Sequence, residues 1–292
     1  MTVQEIVARV PGWATAASRC VTPLPGGITN ENYRVDVDGR AFVVRIGGAN
    51  TALLGIDRVR EQAATAVAAG LGVGPELVLA LPEASVLVTR FIDGRGLEPA
   101  DVHDPVTLGR IVEALQRVHR GPSIPGRFSA LRTVESYRDV ALAHGVGLPP
   151  GLPRWLDLAR RIEAAPPADG PAVPCHNDLL PANFIDDGTR IRILDWEYAA
   201  MGDAYFDLGN LAANGELAPA EEPRLLELYG DGATPRALAR LGLMRLASDL
   251  REAMWGLVQV GVSRLTFDFA DYAARHFGRV ADRADRAVAW LS

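Results

Sequence analysis

The segment HNDLLPANF, residues 176–184, constrains this chain more than any other, together with the apolar run that follows it and ends at Asp195. Pro181 interrupts the segment, so it is predicted to be a loop rather than a helix. The apolar run has the length and composition of a buried strand. A loop beside a buried strand is therefore expected to bring Asp178, Asn183 and Asp195 together.

These three side chains suit one kind of chemistry. Asp178 can accept a hydrogen bond from an attacking hydroxyl, and the oxygens of Asn183 and Asp195 are the hard ligands that Mg²⁺ prefers. Taken singly, Asp and Asn in loops are most often turn formers. The complete spacing is H-x-D-x₄-N with a strand-end aspartate twelve residues on. It matches the catalytic loop of kinases, with Asp195-Trp196-Glu197 at the D-F-G position.

The basic residues are all arginine, because the sequence contains no lysine. A Walker-type phosphate loop requires a lysine, so this chain cannot form one. An arginine must therefore be the phosphate-binding cation if the chain handles a nucleotide. The net charge of −6 argues against a nucleic-acid partner.

Other whole-chain features narrow the class of protein. No apolar run approaches the roughly 20 residues of a membrane span, and the first residues do not resemble a secretion signal. Cys20 and Cys175 are too few for a disulfide framework or a zinc site. We therefore expect a cytoplasmic protein without membrane partners, and a homodimer is left open.

The pattern of secondary structure predicts an α+β protein with two lobes. Up to about residue 90 the chain reads as strands with one helix, and Asp38-Gly39 marks a hairpin. A second hairpin is predicted around Pro82-Glu83. Helical periodicity then dominates, and strand signals return only near the 176–184 loop. The predicted lobes are a small antiparallel, β-rich nucleotide-binding lobe at 1–92 and a larger, mostly helical lobe at 93–292.

The N-terminal part offers candidates for a nucleotide site. Gly26 and Gly27 stand between strand-like runs, where bare backbone amides can approach phosphates. Arg45 ends a strand, at the place where a kinase keeps its phosphate-binding lysine. Glu61, on the following helix, is predicted to pair with Arg45 and hold it in place.

These motifs resemble the choline/ethanolamine kinase family, within the aminoglycoside phosphotransferase and protein-kinase-like superfamily. GGITNENYRV is similar to its nucleotide loop, HNDLLPANF to its catalytic loop and LDWEYAAMGDAYFDLGN to its metal-binding segment. The resemblance implies a protein-kinase-like fold that uses ATP and Mg²⁺. It implies these roles: Asp178 as catalytic base; Asn183 and Asp195 as metal ligands; Arg45 and Glu61 serving ATP; Gly26, Gly27, Thr29, Asn30 and Asn32 in the nucleotide loop; Asp207 and Asn210 as supports of the catalytic loop.

A substrate pocket is predicted on the late helices. Proteins hold quaternary ammonium groups against aromatic faces and carboxylates. Trp255 has Glu252 and Gln259 on the same side of one helix, and Tyr272 follows on the next. Tyr198 lies beside the predicted metal strand, and the resemblance adds Glu197, near the metal or the ammonium group. Eukaryotic choline kinases carry a second tryptophan where this chain has Glu252, so a primary amine is also an acceptable ligand.

Together these features predict an ATP- and Mg²⁺-dependent kinase for the hydroxyl of a cationic amino alcohol, with choline or ethanolamine as the first choices. Thiamine, an aminoglycoside or a sugar remains an alternative acceptor within the superfamily. A nucleotide-binding pseudokinase is the alternative outside enzymes, and the presence of all the catalytic groups disfavours it.

Overall fold

The computed structural model describes residues 1–25, 30–48, 50–165 and 171–291. The strands in these ranges are β1 Arg19–Leu24, β2 Asn30–Val37, β3 Arg40–Gly47, β4 Leu77–Leu81, β5 Val86–Arg90, β6 Arg95–Gly96, β7 Val173–Cys175, β8 Phe184–Asp186, β9 Ile191–Ile193 and β10 Ala200–Gly202. The α-helices are α1 Val3–Arg9, α2 Arg58–Gly70, α3 Pro99–Val102, α4 Pro105–His119, α5 Ala130–Ala143, α6 Leu152–Ala164, α7 Ala204–Asn214, α8 Glu222–Tyr229, α9 Pro235–Val262 and α10 Phe269–Trp290.

The N-terminal part contains an antiparallel sheet with the strand order β1-β2-β3-β5-β4. Asp38 and Gly39 connect β2 to β3 with φ angles of 47° and 76°, the left-handed conformations of a tight hairpin turn. A short 3₁₀ turn at Pro82–Ala84 connects β4 to β5. Both predicted hairpins are therefore confirmed.

Helix α1 was not predicted, because the first 90 residues were expected to contain one helix only. Thr2 caps it, and its side chain and that of Glu5 form a reciprocal capping box. Val3, Ile6 and Val7 are buried against the sheet. The helix is short and depends on this packing, since helices of this length are marginal in isolation.

Two separate apolar clusters are buried. The smaller one joins α1 to the five-stranded sheet. The larger one contains the C-terminal helices and also takes in Ala64 and Ala68 of α2 and the nearby Val73. Helix α2 thus packs on the helical part as well as on its own sheet, and the lobe boundary at residues 92 and 93 stays a prediction.

Helix α9 is the central element of the C-terminal part. It has 28 residues, and α5, α6, α7, α8 and α10 all pack against it. The predicted long helices, at 234–262 and 266–291, agree with α9 and α10 to within about three residues. None of the helices in the described ranges is both long and apolar enough to cross a membrane.

The close approach of α7 to α9 depends on Gly209. A Cβ atom on this residue would lie 2.6 Å from the backbone nitrogen of Arg245 on α9. We predict that Gly209→Ala lowers the free energy of unfolding by about 1–3 kcal/mol, because two helix backbones must separate. Thermal unfolding followed by circular dichroism measures this loss.

Gly278→Ala is the matched control, since Gly278 also lies in a helix and has open space around its Cβ position. We expect Gly278→Ala to raise the free energy of unfolding by up to about 1 kcal/mol, because alanine has a better helix propensity than glycine. Equal melting temperatures for Gly209→Ala and the wild type would contradict the tight α7–α9 contact.

Candidate active site

The loop after β7 is held in place by two side chains of α7. Asp207 is fully buried, and its two carboxylate oxygens accept the backbone N–H groups of His176 at 2.9 Å and Asn177 at 2.7 Å. Asn210 accepts the N–H of Leu179. Buried backbone donors need such partners, so these bonds fix the course of the loop. The supporting positions that the family resemblance implied for Asp207 and Asn210 are thus present.

His176 is a structural part of this loop. Its Nε2–H group donates to the carbonyl oxygen of Leu194 at 2.8 Å, and its Nδ1 atom accepts the backbone N–H of Asp178 at 3.2 Å. One ring nitrogen donates and the other accepts, which is the pattern of a neutral imidazole. Burial lowers the pKa of His176 and keeps the ring neutral. His176 therefore orients Asp178 and connects it to the strand that leads to Asp195.

Asp178 lies next in the loop, with only 8% of its surface exposed. Its Oδ1 atom accepts hydrogen bonds from both terminal nitrogens of Arg251, at 3.1 and 3.2 Å. Burial is the main cause that raises the pKa of Asp178 to about 7; the carboxylates of Glu252 and Asp195 act in the same direction, and Arg251 opposes them. A carboxylate with such a pKa is well matched to accept a hydroxyl proton near neutral pH.

Asn183 and Asp195 are brought together by the backbone. The amide Nδ2 of Asn183 donates to the carbonyl oxygen of Asp178 at 2.9 Å. The carbonyl oxygen of Asn183 accepts the N–H of Leu194 at 2.8 Å, which places the next residue, Asp195, beside it. Asp195 has a left-handed backbone with φ 61°, and both side chains line the same cleft.

The oxygen donors around Asp195 fit Mg²⁺. Carboxylate oxygens of Glu61, Asp195 and Glu197 all lie within 4.8 Å of one another, and the amide of Asn183 lines the cleft beside Asp195. This donor set contains only oxygen, the ligand type of hard divalent cations. Glu197, which was predicted near the metal or the ammonium group, lies beside Glu61 and Asp195, and its role stays a prediction.

Arg45 connects the two sides of the cleft. One terminal nitrogen forms an ion pair with Glu61 on α2, as the spacing predicted. The other lies 2.5 Å from Oδ1 of Asp195. In this structure Arg45 thus occupies one oxygen of a predicted metal ligand while Glu61 holds it from behind.

The sequence analysis missed a second buried cation, Arg58. Its NH1 atom lies 2.8 Å from Glu61 and 3.0 Å from Glu197, and its NH2 atom donates to Asn30 at 3.3 Å. Asn30 in turn donates to Glu197 at 3.3 Å. The available signal was the spacing to Glu61, since residues three apart face the same side of a helix.

The predicted nucleotide loop is described in part. Gly26, Gly27 and Thr29 lie outside the described residues. Asn30 belongs to the Arg58 cluster, and Asn32 lines the cleft together with Arg45. The roles assigned to the loop therefore stay predictions.

The cleft has a volume of about 440 Å³ and lies between the five-stranded sheet and the catalytic loop. Its sheet side is mostly apolar and its floor carries the polar groups described above. Its apolar lining includes Leu24, Val43, Leu87, Phe91, Ile92 and Ile185. An apolar slot that also carries Arg45, Arg90 and Asp195 has the composition of a site for a planar base with a phosphate chain.

The residues predicted to bind the acceptor lie mainly on α9 and α10. The Trp255 ring meets Tyr272 edge-on at 5.6 Å and Phe269 at 5.7 Å between ring centroids. Phe267, half of whose surface is covered, contacts Tyr272 at 6.0 Å. Gln259 is buried one turn beyond Trp255. Trp255 and Tyr272 are thus brought together as predicted, and Phe267 and Phe269 are aromatic neighbours that the prediction left out.

Glu252 is already paired within the protein. Its Oε1 atom accepts a hydrogen bond from Arg251 at 2.5 Å, and its Oε2 atom accepts the hydroxyl of Tyr272 at 2.9 Å. The guanidinium of Arg251 lies over the ring of Tyr198, with its Cζ atom 4.5 Å from the ring centroid. Glu252 and Tyr198 therefore surround Arg251 beside Asp178, and direct contact of either with an acceptor stays a prediction.

Comparison with known proteins identifies the class that this fold and site define. The two-lobed, protein-kinase-like fold with α+β composition is confirmed, and residues 21–242 match the APH family, described as the phosphotransferase enzyme family. This match spans most of the chain, so the chain belongs to the phosphotransferase enzyme family.

Individual relatives narrow the class further. Human "Ethanolamine kinase 2" is 29% identical over 285 residues, covering 87% of this chain and 73% of the human protein. The crystal structure of a choline/ethanolamine kinase family protein from Mesorhizobium loti is 30% identical with a TM-score of 0.81, covering 100% of this chain and 99% of that one. A structure of LicA in complex with AMP is 20% identical with a TM-score of 0.76, covering 96% and 98%. The protein is a small-molecule kinase of the choline/ethanolamine kinase family, which confirms the resemblance seen in the sequence.

The neutral state of His176 gives a prediction about pH. The fold lowers the pKa of His176 from its ordinary value of 6.5, so above pH 6.5 the side chain is neutral in both the folded and the unfolded protein and costs no stability. Below that pH the unfolded chain binds a proton that the native state does not, so stability falls. We predict that His176→Gln is less stable at pH 7.5 and loses less of its melting temperature between pH 7.5 and 5.5 than the wild type. Parallel curves for the two proteins would show that His176 is not kept neutral.

Proposed function

We propose that this kinase transfers the γ-phosphoryl group of Mg²⁺-bound ATP to the hydroxyl of a small amino alcohol, with ethanolamine or choline as the acceptor. The carrying observation is the meeting of three sets of side chains around Asp178. The backbone carbonyl of Asp178 accepts the amide of Asn183, a predicted metal ligand, and the other predicted ligand, Asp195, is paired with Arg45. The carboxylate of Asp178 is connected through Arg251 and Glu252 to Tyr272, which contacts Trp255. In this proposal residues 1–92 bind the nucleotide, and residues 93–292 bind the acceptor and carry out the reaction.

Asp178 acts on the acceptor hydroxyl. Its Oδ1 atom is engaged by Arg251, so Oδ2 is the oxygen that accepts the hydroxyl hydrogen bond. This hydrogen bond aims an oxygen lone pair of the acceptor at the γ-phosphorus. The Asp178 carboxylate receives the hydroxyl proton as the new P–O bond forms and the bond between the γ-phosphorus and ADP breaks. Phosphoryl transfer gains most from such positioning and from charge neutralisation.

The cations act on the phosphate chain. Arg45 remains paired with Glu61 and turns its second nitrogen from Asp195 to the phosphates, which frees Asp195. Asn183 and Asp195 are the residues that would hold Mg²⁺, with Glu197 beside them. Bound Mg²⁺ supplies neutralisation of the negative charge on the phosphate oxygens. The complex of LicA with AMP supports nucleotide binding by this chain.

The acceptor pocket favours a small cation. Trp255 and Tyr272 present aromatic surface, and the two carboxyl groups of Asp178 and Glu252 surround the single guanidinium of Arg251. Aromatic rings and a net negative charge both attract an ammonium group. The names of the relatives, human ethanolamine kinase 2 and a choline/ethanolamine kinase family protein, support the same acceptor class.

Removing the charge of Asp178 tests its role. We predict that Asp178→Asn lowers kcat by about 10²–10⁴-fold, the range typical for loss of a general base. The Kd for Mg·ATP should change little, because Asp178 faces the acceptor. Stopped-flow or quench-flow measurement of ADP formation, with ATP binding measured by calorimetry, separates the two effects. A kcat within threefold of the wild type would contradict the assigned role.

The acceptor is tested by coupled ADP release with choline, ethanolamine, thiamine and kanamycin. We expect the highest kcat/KM for ethanolamine or choline, and Trp255→Ala should raise the KM of that acceptor by roughly 5- to 30-fold, since a desolvated cation–π contact contributes about 1–2 kcal/mol. Trp155→Ala is the matched control, because Trp155 stacks on Phe277 whereas Trp255 contacts Phe269 and Tyr272. Preference for thiamine or kanamycin, or an unchanged KM in Trp255→Ala, would refute the proposed pocket.

A further inference from the structure

Arg251 is an unusual residue for the middle of a long helix. It is 1% exposed and is the largest fully buried side chain among the described residues. Burying a guanidinium is costly, and a buried ion pair is on average no better for stability than apolar packing of the same volume. The position of Arg251 therefore calls for an explanation other than fold stability.

The contacts of Arg251 are concentrated on one atom of the catalytic loop. Both of its terminal nitrogens reach Oδ1 of Asp178, at 3.1 and 3.2 Å. Among the described residues no hydrogen bond goes to the other oxygen, Oδ2. This one-sided arrangement fixes the rotation of the carboxylate and leaves a defined oxygen for the acceptor hydroxyl.

Arg251 is itself fixed by its surroundings. Its NH1 atom donates to Glu252 at 2.5 Å, and Glu252 accepts the hydroxyl of Tyr272 at 2.9 Å. The ring of Tyr198 covers its guanidinium at 4.5 Å. Tyr272, Glu252, Arg251 and Asp178 therefore form a continuous chain of hydrogen bonds from α10, through α9, to the catalytic loop.

We propose that Arg251 is the positioning residue of Asp178, and that the chain from Tyr272 through Glu252 couples the acceptor pocket to the orientation of this carboxylate. The inference rests on the proposed function of Asp178 and adds a residue that acts through it. Two N–H groups of a rigid, planar guanidinium converge on Oδ1 and fix the position of that oxygen, whereas an ammonium group acts as a point charge. The geometry of Arg251, and not only its charge, thus sets the geometry of the reaction.

Loss of Arg251 should affect turnover rather than nucleotide binding. Without it the Asp178 carboxylate can rotate, and small misplacements of a reacting group cost about 10²-fold in rate. We expect Arg251→Met to lower kcat by about 100-fold or more, with the KM for ATP within about threefold of the wild type. Arg251→Lys should have a kcat about tenfold higher than Arg251→Met, because lysine restores the positive charge but not the two converging N–H groups.

Arg245→Met is the matched control. Arg245 is also a buried arginine on α9, but it pairs with Glu222 at 2.7 Å instead of with Asp178. We expect a comparable fall in melting temperature for this control but a kcat within about twofold of the wild type. If both variants lose the same fraction of kcat at equal melting temperature, the effect is structural and the proposal is wrong.

A second measurement does not depend on turnover. In a crystal structure of Arg251→Met, or of Arg251→Met/Glu252→Gln if the single variant does not fold, the Asp178 carboxylate should leave its wild-type orientation. An unchanged orientation overturns the proposal. Absence of acceptor-dependent ADP release by the wild type would instead count against the proposed function, and this crystal structure would then decide the role of Arg251 alone.

Discussion

The site depends on one buried carboxylate, that of Asp207. It accepts two consecutive backbone N–H groups of the catalytic loop, and it does so from a helix that packs closely on α9 through Gly209. His176, placed by this bond, connects the loop to Leu194, between β9 and Asp195. The positions of Asp178, Asn183 and Asp195 all follow from this anchoring, because none of them could keep its place if the loop backbone moved.

Around this scaffold the buried charged side chains form two groups. Arg45 and Arg58 balance Glu61, Asp195 and Glu197 at the nucleotide end, and Arg251 balances Asp178 and Glu252 at the acceptor end. Each group has one more carboxylate than it has arginines. The excess negative charge suits a metal ion in the first group and a cationic acceptor in the second.

Much of this could be predicted from the sequence, because the signals were local. The Asp38-Gly39 turn, the helical periodicity of α4, α9 and α10, and the spacing from Asp178 to Asn183 each lie within a short stretch. The local signal for Arg58 was limited to its spacing to Glu61, and Arg251 could not be found in this way. Their partners Glu197 and Asp178 are 139 and 73 residues away, and only the fold brings them together. Helix α1 was missed although its capping box was readable, because its apolar positions fill only two turns.

The central claim is that Asn183, Asp195 and Asp178 converge on a metal-bound nucleotide and an incoming hydroxyl. A crystal structure with Mg²⁺, a non-hydrolysable ATP analogue and ethanolamine tests it most directly. The account predicts Mg²⁺ at about 2.0–2.1 Å from oxygens of Asn183 and Asp195, Arg45 turned from Asp195 to the phosphates, and Oδ2 of Asp178 within hydrogen-bonding distance of the hydroxyl. A complex in which these side chains point away from the terminal phosphate would contradict it.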